Sequence, residues 1–254
     1  MKKQLLILAA VLTTMLAGIS HGQMFAQMFG GSTWTPLTLG PVAWWKMDDN
    51  AANKVVLDSA GANTGVSAQN TSAVHTDGIN GGALTFNGNS DFVTVTHSSS
   101  VDFTNSFSVS FWCCPATADQ NGTIAGKWTT GASTNNSWVV TVGQDVANNK
   151  WGAGIQQSDG TIKTLTPATT FSATTWYHGV LVAGVTNFAL FINGAAIGSE
   201  AYDGTINSTA INITLGKLRT VDSIYSFNGA IDDVLFFNRA LTPAEITQIY
   251  NWRQ

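Results

Sequence analysis

The chain has 254 residues, of which 44% are hydrophobic and only 10% charged, with a formal net charge of −4 at neutral pH. No cluster of Lys or Arg interrupts this acidic balance, which argues against nucleic acid or an anionic membrane surface as a partner. The length suffices for one large core and does not require a second domain.

Met1-Lys2-Lys3-Gln4, the apolar run Leu5 to Ala17 and the small residues around Ser20-His21-Gly22 together have the pattern of a secretory signal peptide. The apolar run is about 13 residues long, short of the roughly 20 that span a bilayer, and no later segment comes close. Residues 1–22 are therefore expected to be cleaved from an exported protein, secreted or held at the cell surface, with no membrane span. Loss of Lys2 and Lys3 would leave the mature chain more acidic still. Residues 23–40 show no clear period and carry a duplicated Met-Phe pair (Met24-Phe25 and Met28-Phe29). They read as an N-terminal arm whose apolar pairs either pack in cis or meet a partner.

From residue 41 to residue 254 the pattern is that of one domain of short strands separated by turn residues. Val42 to Met47 reads as a first strand, Val55 to Leu57 as a second, and Asp58-Ser-Ala-Gly61 as a turn. Gly81 to Val95 gives two strands joined by an Asn-Gly loop. Phe107 to Cys114 alternates until Pro115. Its Cys113 and Cys114 are the chain's two cysteines, and extended geometry points neighbouring side chains to opposite faces. They read as free thiols, the alternatives being a strained vicinal disulfide or an intermolecular link through Cys114. Thr123 to Trp128, Trp138 to Val142, Trp151 to Ile155, Thr161 to Leu165 and Trp176 to Val182 continue the series. Phe188 to Ile192 meets Ala195 to Ile197 across Asn193-Gly194, the residue pair that favours a two-residue hairpin. Ile211 to Leu215 precedes the last element.

That element is Phe227 to Tyr250. Strand alternation would set Ile231, Asp233, Leu235 and Phe237 on one face and Asp232, Val234 and Phe236 on the other. Both faces are largely apolar, so the adjacent carboxylates of Asp232 and Asp233 need a reason, since an unpaired buried charge is costly. Thr242, Pro243 and Glu245 then have the spacing of a helix capping box, with Ile246, Ile249 and Tyr250 placed to dock on the sheet. About a dozen strands and one terminal helix predict an all-β, antiparallel sandwich.

Particular residues carry a resemblance. Trp44-Trp45-Lys-Met-Asp48, Asp58 to Gly61, Gly82 to Gly88 with Asp91-Phe-Val93, and Phe107 to Trp112 occur in the order found in one family. Trp176-Tyr-His178, Leu190 to Gly194, Phe227 to Val234 and Asn238 to Ile246 complete the order. Over residues 42–251 the chain resembles the laminin G-like branch of the concanavalin A-like lectin/glucanase superfamily. The resemblance implies a jelly-roll sandwich, carbohydrate or protein ligands at rim loops or on a sheet face, and often a structural calcium ion. The positions matching the family's calcium ligands are Asp232 and Asp48. Calcium takes six to eight oxygens, so main-chain carbonyls or water would complete such a set. The alternative is that Asp232 accepts backbone amides or pairs with Arg239 or Lys46, and that Asp48 is a turn residue.

Glycoside hydrolysis needs two carboxylic residues flanking the bond. The chain has two Glu, Glu200 in an expected turn and Glu245 in the capping box, and no closely spaced acidic strand motif, so no enzyme activity is expected. His75, His97 and His178 have no Gly-x-Ser-x-Gly context, and His178 reads as structural. Sugar binding calls for aromatic faces among neutral hydrogen-bonding groups. Trp128 and Trp151, then Trp138, Tyr202 and Tyr225, are the candidates, although tryptophan in a short strand is commonly a core anchor. The expected function is a secreted, non-catalytic module that binds extracellular polysaccharide or glycoprotein. The alternative is a surface or assembly protein that self-associates through its sandwich edges or its arm.

Overall fold

The computed structural model describes residues 34–79, 81–129, 134–143, 149–218 and 225–252. The expected signal peptide and the Met-Phe pairs of the expected arm lie outside these residues. The chain divides into two compact units, Met1–Thr38 and Leu39–Gln254. In the first, the described residues form the start of a short 3-10 turn, in which Thr38 N–H donates to Thr35 O. The second unit is the sandwich.

Its strands are β1 (Ala43–Trp45), β2 (Val55–Val56), β3 (Gly65–Ser67), β4 (His75–Asp77), β5 (Gly82–Asn87), β6 (Val93–Val95), β7 (Phe107–Pro115) and β8 (Gly122–Lys127). They continue as β9 (Trp138–Val142), β10 (Trp151–Gln156), β11 (Ile162–Leu165), β12 (Tyr177–Ala183), β13 (Asn187–Ile192), β14 (Ala195–Ala201), β15 (Ile213–Leu215) and β16 (Asn228–Phe237). A single-turn helix α1 (Thr71–Val74) precedes β4, and α2 (Pro243–Trp252) follows β16. One sheet has the order β14-β13-β12-β7-β16-β5-β4, with β1 also paired to β16. The other runs β11-β10-β9-β8-β15-β6-β3-β2. The strand pairings are antiparallel in both, with sequence-distant neighbours such as β7 and β16 at the centre. This is the expected jelly-roll sandwich with a short C-terminal helix. Strand β3 and helix α1 were not legible in the sequence, because so short a run of Gly, Ser, Thr and Ala shows no period.

Alternation explains the core. Along β7, Phe107, Val109, Phe111 and Cys113 face the interior, where Phe103 stacks on Phe107 at 4.8 Å and Trp138 meets Phe107 and Phe236 at 5.6 and 5.3 Å. Cys113 and Cys114 are both free thiols. The hairpin at Asn193-Gly194 forms as expected, with φ of 50° and 80°, the left-handed values a two-residue turn requires. Beyond it β14 extends to Ala201, so Glu200 lies in a strand and not in a turn.

The outward side of β7 carries Ser108, Ser110 and Trp112 beneath α2. Ser108 Oγ accepts from Leu241 N–H and donates to Arg239 O. Tyr250 of α2 lies over Trp112 and His178, with ring centroids 5.7 and 5.9 Å away. Ile246 and Ile249 are buried, and the capping box is reciprocal, with Thr242 N–H donating to Glu245 Oε2 and Glu245 N–H to Thr242 Oγ1.

Strand β16 departs from simple alternation. Asp233 has φ of 45°, and the register with β7 shifts between Asp232 and Leu235. This bulge keeps Ile231, Val234 and Phe236 in the core and takes both carboxylates out of it. The faces expected from a strict period of 2 are therefore corrected.

Candidate functional site

Two loci gather the residues singled out above. The first lies where β16 passes the β4–β5 turn. Asp232 is 1% exposed, and its Oδ2 accepts Ile79 N–H at 3.0 Å. Gly78 and Gly82 flank that turn. A Cβ added to Gly78 would collide with Asp232 Oδ2 and with Gly82 O, and one added to Gly82 would stand 2.6 Å from His75 Nε2 and 3.0 Å from Asp48 Cα. The fold thus brings Asp48 and Asp232, 184 positions apart, to the same turn. Gly78 is thus closely approached by a carboxylate oxygen and a main-chain oxygen, hard donors of the kind calcium prefers. Among the described residues no group of three His, Cys, Asp or Glu could hold a metal, so a cation here would need further main-chain oxygens or water. Asp232 accepts a backbone amide, as one alternative held, while Arg239 pairs with Glu245 at 2.8 Å. Asp233 is separate: its Oδ1 accepts from the Trp44 indole at 2.8 Å.

The aromatic candidates divide sharply. Trp138 and Trp151 are 0% exposed in the core, where Trp151 packs edge-on against Phe171 and Tyr177 at 5.6 and 5.4 Å. Tyr202 is also in the core, and its hydroxyl donates to Gly184 O at 2.5 Å to close the β13–β14 pair. For these three the expected sugar contact is corrected: alternation turns both indoles inward, and a buried ring has no face to offer. Trp128 lies on the other side of its sheet, packed with Val139, Leu218 and Ile162 and 8% exposed. Gly154 leaves it room, since an added Cβ there would come within 3.5 Å of the indole. Tyr225 remains, 41% exposed and, among the described residues, the aromatic most open to solvent.

Tyr225 sits on a built rim. Asn87 Oδ1 accepts the N–H groups of Asn89, Ser90 and Asp91 at 2.8 to 3.2 Å, which fixes the β5–β6 turn, and Gly88 takes φ of 71° there. Gly88 N–H donates to Phe227 O, docking this turn beside the start of β16. Ser226 forms single-residue bridges to Thr123 and to Lys217, and Tyr225 O accepts Thr123 N–H at 3.0 Å. Ser226 Oγ and Lys217 Nζ both donate to Asn89 O, at 3.3 and 2.8 Å. The Lys217 ammonium also stands 5.7 Å from the centroid of the Phe92 ring. Tyr225 has φ of 59°, a left-handed conformation that costs about 1–2 kcal/mol in a non-glycine residue and persists only where neighbours over-determine it. Sequence reasoning found Tyr225 but missed Asn89 and Phe92 of the β5–β6 turn and Lys217, which meet from two distant segments.

Glu245 is committed to the helix cap. Glu245 is engaged by Arg239 and Thr242, which hold its carboxyl down at about 2, and Glu200 lies in β14. Ser110 Oγ and His178 Nε2 are 2.9 Å apart, but both residues are sealed beneath Tyr250, and burial pushes the imidazole down to about 3.

A family model described as the concanavalin A-like lectin/glucanases superfamily matches residues 87–247, more than half of the chain. The chain belongs to this superfamily, within its laminin G branch. No curated protein matches the sequence. Among solved structures, it is similar to domain 4 of an extracellular arabinanase from Geobacillus stearothermophilus in complex with arabinotriose. The TM-score is 0.61 at 18% identity, covering 83% of this chain and 98% of that one. It is also similar to the ligand binding domain of botulinum neurotoxin serotype D in complex with N-acetylneuraminic acid (TM-score 0.61, 17% identity, 83% of this chain and 50% of that one). A third is the binding domain of Paraclostridial mosquitocidal protein 1 (TM-score 0.58, 18% identity, 70% and 45%). The chain thus spans about half the length of the toxin domains and nearly all of the arabinanase domain. At these identities the likeness is one of fold.

Proposed function

We propose that this chain is a secreted, non-catalytic binding module for extracellular carbohydrate or the glycan of a glycoprotein, and that its ligand engages the rim around Tyr225. The observation that carries this reading is Tyr225 itself: an exposed ring on a residue of left-handed backbone conformation, next in the chain to Ser226, whose Oγ donates to Asn89 O of the Asn87–Asp91 turn. An aromatic face beside neutral polar groups is the surface to which an apolar sugar face stacks. Support comes from the neighbours whose structures contain arabinotriose and N-acetylneuraminic acid. The engagement of Glu245 in a helix cap supports the absence of hydrolysis.

A structural calcium ion completes the proposal. Asp232 and Asp48, with main-chain oxygen of the Gly78–Gly82 turn, would hold it and tie the first strand to the last. Its part is to fix that turn, not to act on a ligand.

The self-association alternative draws less support at one edge. The outward amides beside β2 are already taken, Val55 N–H by Asn53 Oδ1 and Leu57 N–H by Asp49, which protects that edge from pairing with another strand. A glycan array probed with the wild-type protein and Tyr225→Ala tests the binding reading. The wild type is expected to bind a defined saccharide set, and loss of the ring should weaken it roughly tenfold or more at unchanged melting temperature. Wild-type and variant signals of equal strength would remove Tyr225 from the site.

A further inference from the structure

Lys217 belongs to the rim but is not explained by it. The residue is 4% exposed, so its ammonium has been withdrawn from bulk water. An ammonium has three donors, and Asn89 O takes one of them at 2.8 Å. The Phe92 ring, with its centroid at 5.7 Å, faces the charge but does not neutralise it. Among the described residues no carboxylate lies within ion-pair distance of Lys217, in contrast to Lys127, which pairs with Asp102, and to Arg239, which pairs with Glu245. A buried charge without a counter-charge is costly, and a hydrogen bond to an ionised acceptor is roughly twice as strong as one to a neutral carbonyl. A second polar group here is also unused: Thr123 is fully buried, and its Oγ1 has no hydrogen-bond partner. Thr123 and Lys217 are bridged to the same residue, Ser226, which follows Tyr225 in the chain.

We propose that Lys217, with Tyr225, forms a subsite for a carboxylate-bearing sugar, the ammonium pairing with the carboxylate while the tyrosine ring stacks on the sugar. This rests on the carbohydrate-binding reading and narrows it to acidic glycans. The formal charge of the whole chain, −4, would repel such ligands at long range, so selection for them depends on this buried cation and not on a diffuse field. Lysine here serves as a point charge held over the Phe92 ring, and arginine could serve in its place.

The test is isothermal titration with an oligogalacturonide, with a sialylated oligosaccharide, and with each after reduction of its carboxyl group to an alcohol. The wild type should bind at least one acid form roughly tenfold or more tightly than its reduced form, as expected when a charged hydrogen bond is lost. Which acid form binds identifies the source of the carboxylate. Lys217→Met should abolish the difference and Lys217→Arg should retain it. Equal affinity for acid and reduced forms, or an acid preference that survives Lys217→Met, overturns the subsite while leaving carbohydrate binding intact. Absence of binding to every saccharide, neutral or acidic, overturns the underlying reading as well. If Lys217→Met does not fold, the comparison of acid and reduced forms on the wild type decides alone.

Discussion

Burying an imidazole is tolerable only while it stays neutral, and His178 is held in that state. It is fully buried between Trp112, Ser110 and Tyr250, its backbone N–H donates to Asn193 Oδ1, and its Nδ1 has no hydrogen-bond partner. Desolvation lowers its pKa from 6.5 to about 3. Above pH 6.5 the imidazole is neutral in both folded and unfolded chains and gives no pH dependence. As the pH falls from 6.5 toward 3, the unfolded chain takes up a proton that the folded chain refuses, so stability falls across that window and levels off below it. The linkage amounts to on the order of 4 kcal/mol over the whole interval. The upper part of the window isolates the effect, because Asp58, Asp102 and Glu245 all have lowered pKa values and contribute only at lower pH. Melting temperature measured from pH 7 to pH 4.5 should therefore decline in the wild type and stay nearly flat in His178→Gln. Parallel profiles would show that His178 is not the group responsible. The sequence already marked this histidine as structural from its place after Trp176, but its burial depends on Tyr250, 72 positions away.

At the scale of elements, the capping box and the bulge in β16 show what local pattern can and cannot reveal. The spacing of Thr242, Pro243 and Glu245 forecast the helix start, because capping is satisfied within four residues. Its reinforcement by Arg239 was not legible: the guanidinium reaches Glu245 with two hydrogen bonds of 2.8 and 2.9 Å and also donates to Leu39 O. The bulge was equally hidden, since a left-handed aspartate follows from pairing with β7 and from the Trp44 indole and not from its neighbours in sequence. Arg239 and Thr242 lower the Glu245 pKa from 4.5 to about 2. Because the folded value is depressed, the stabilisation is present above pH 4.5 and is lost as the pH falls through about 2. Side-chain exposures of 41% and 22% screen the pair, which reduces its worth well below what the shift alone would imply. Glu245→Gln should cost about 1 kcal/mol at neutral pH and flatten the stability profile between pH 4.5 and 2. Chemical denaturation at three pH values checks this. A constant difference between wild type and variant across the window would assign the loss to packing of α2 and not to the carboxylate.

At the scale of the whole molecule, most of the strands along the chain and the core were legible, since alternating residues such as Phe107, Val109 and Phe111 announce their own burial, whereas the order of strands within each sheet was not. The ligand rim was not, because Asn89, Lys217 and Tyr225 meet only after sheets of crossed connectivity have formed. The pairing of Asp48 with Asp232 lies between these cases: it came from resemblance, and the fold does bring both to the Gly78–Gly82 turn. If a calcium ion sits there, it binds the folded chain and not the unfolded one, because its ligands come from opposite ends of the domain. Free calcium at a hundred times its dissociation constant would then add about 2.7 kcal/mol of stability. For a domain of this size that corresponds to a rise in melting temperature of roughly 5–10 °C. Chelation should reverse the rise, and Asp232→Asn should both lower the melting temperature in calcium and remove most of the response to chelator. Asp48→Asn should weaken the response less, since Asp48 is exposed whereas Asp232 is buried. Magnesium should substitute poorly, because a site completed by main-chain carbonyls of a turn cannot contract to the short octahedral distances that magnesium demands. An unchanged melting temperature in chelator, together with no metal in the purified protein, would leave Asp232 with a structural part only, as an acceptor for the Ile79 amide.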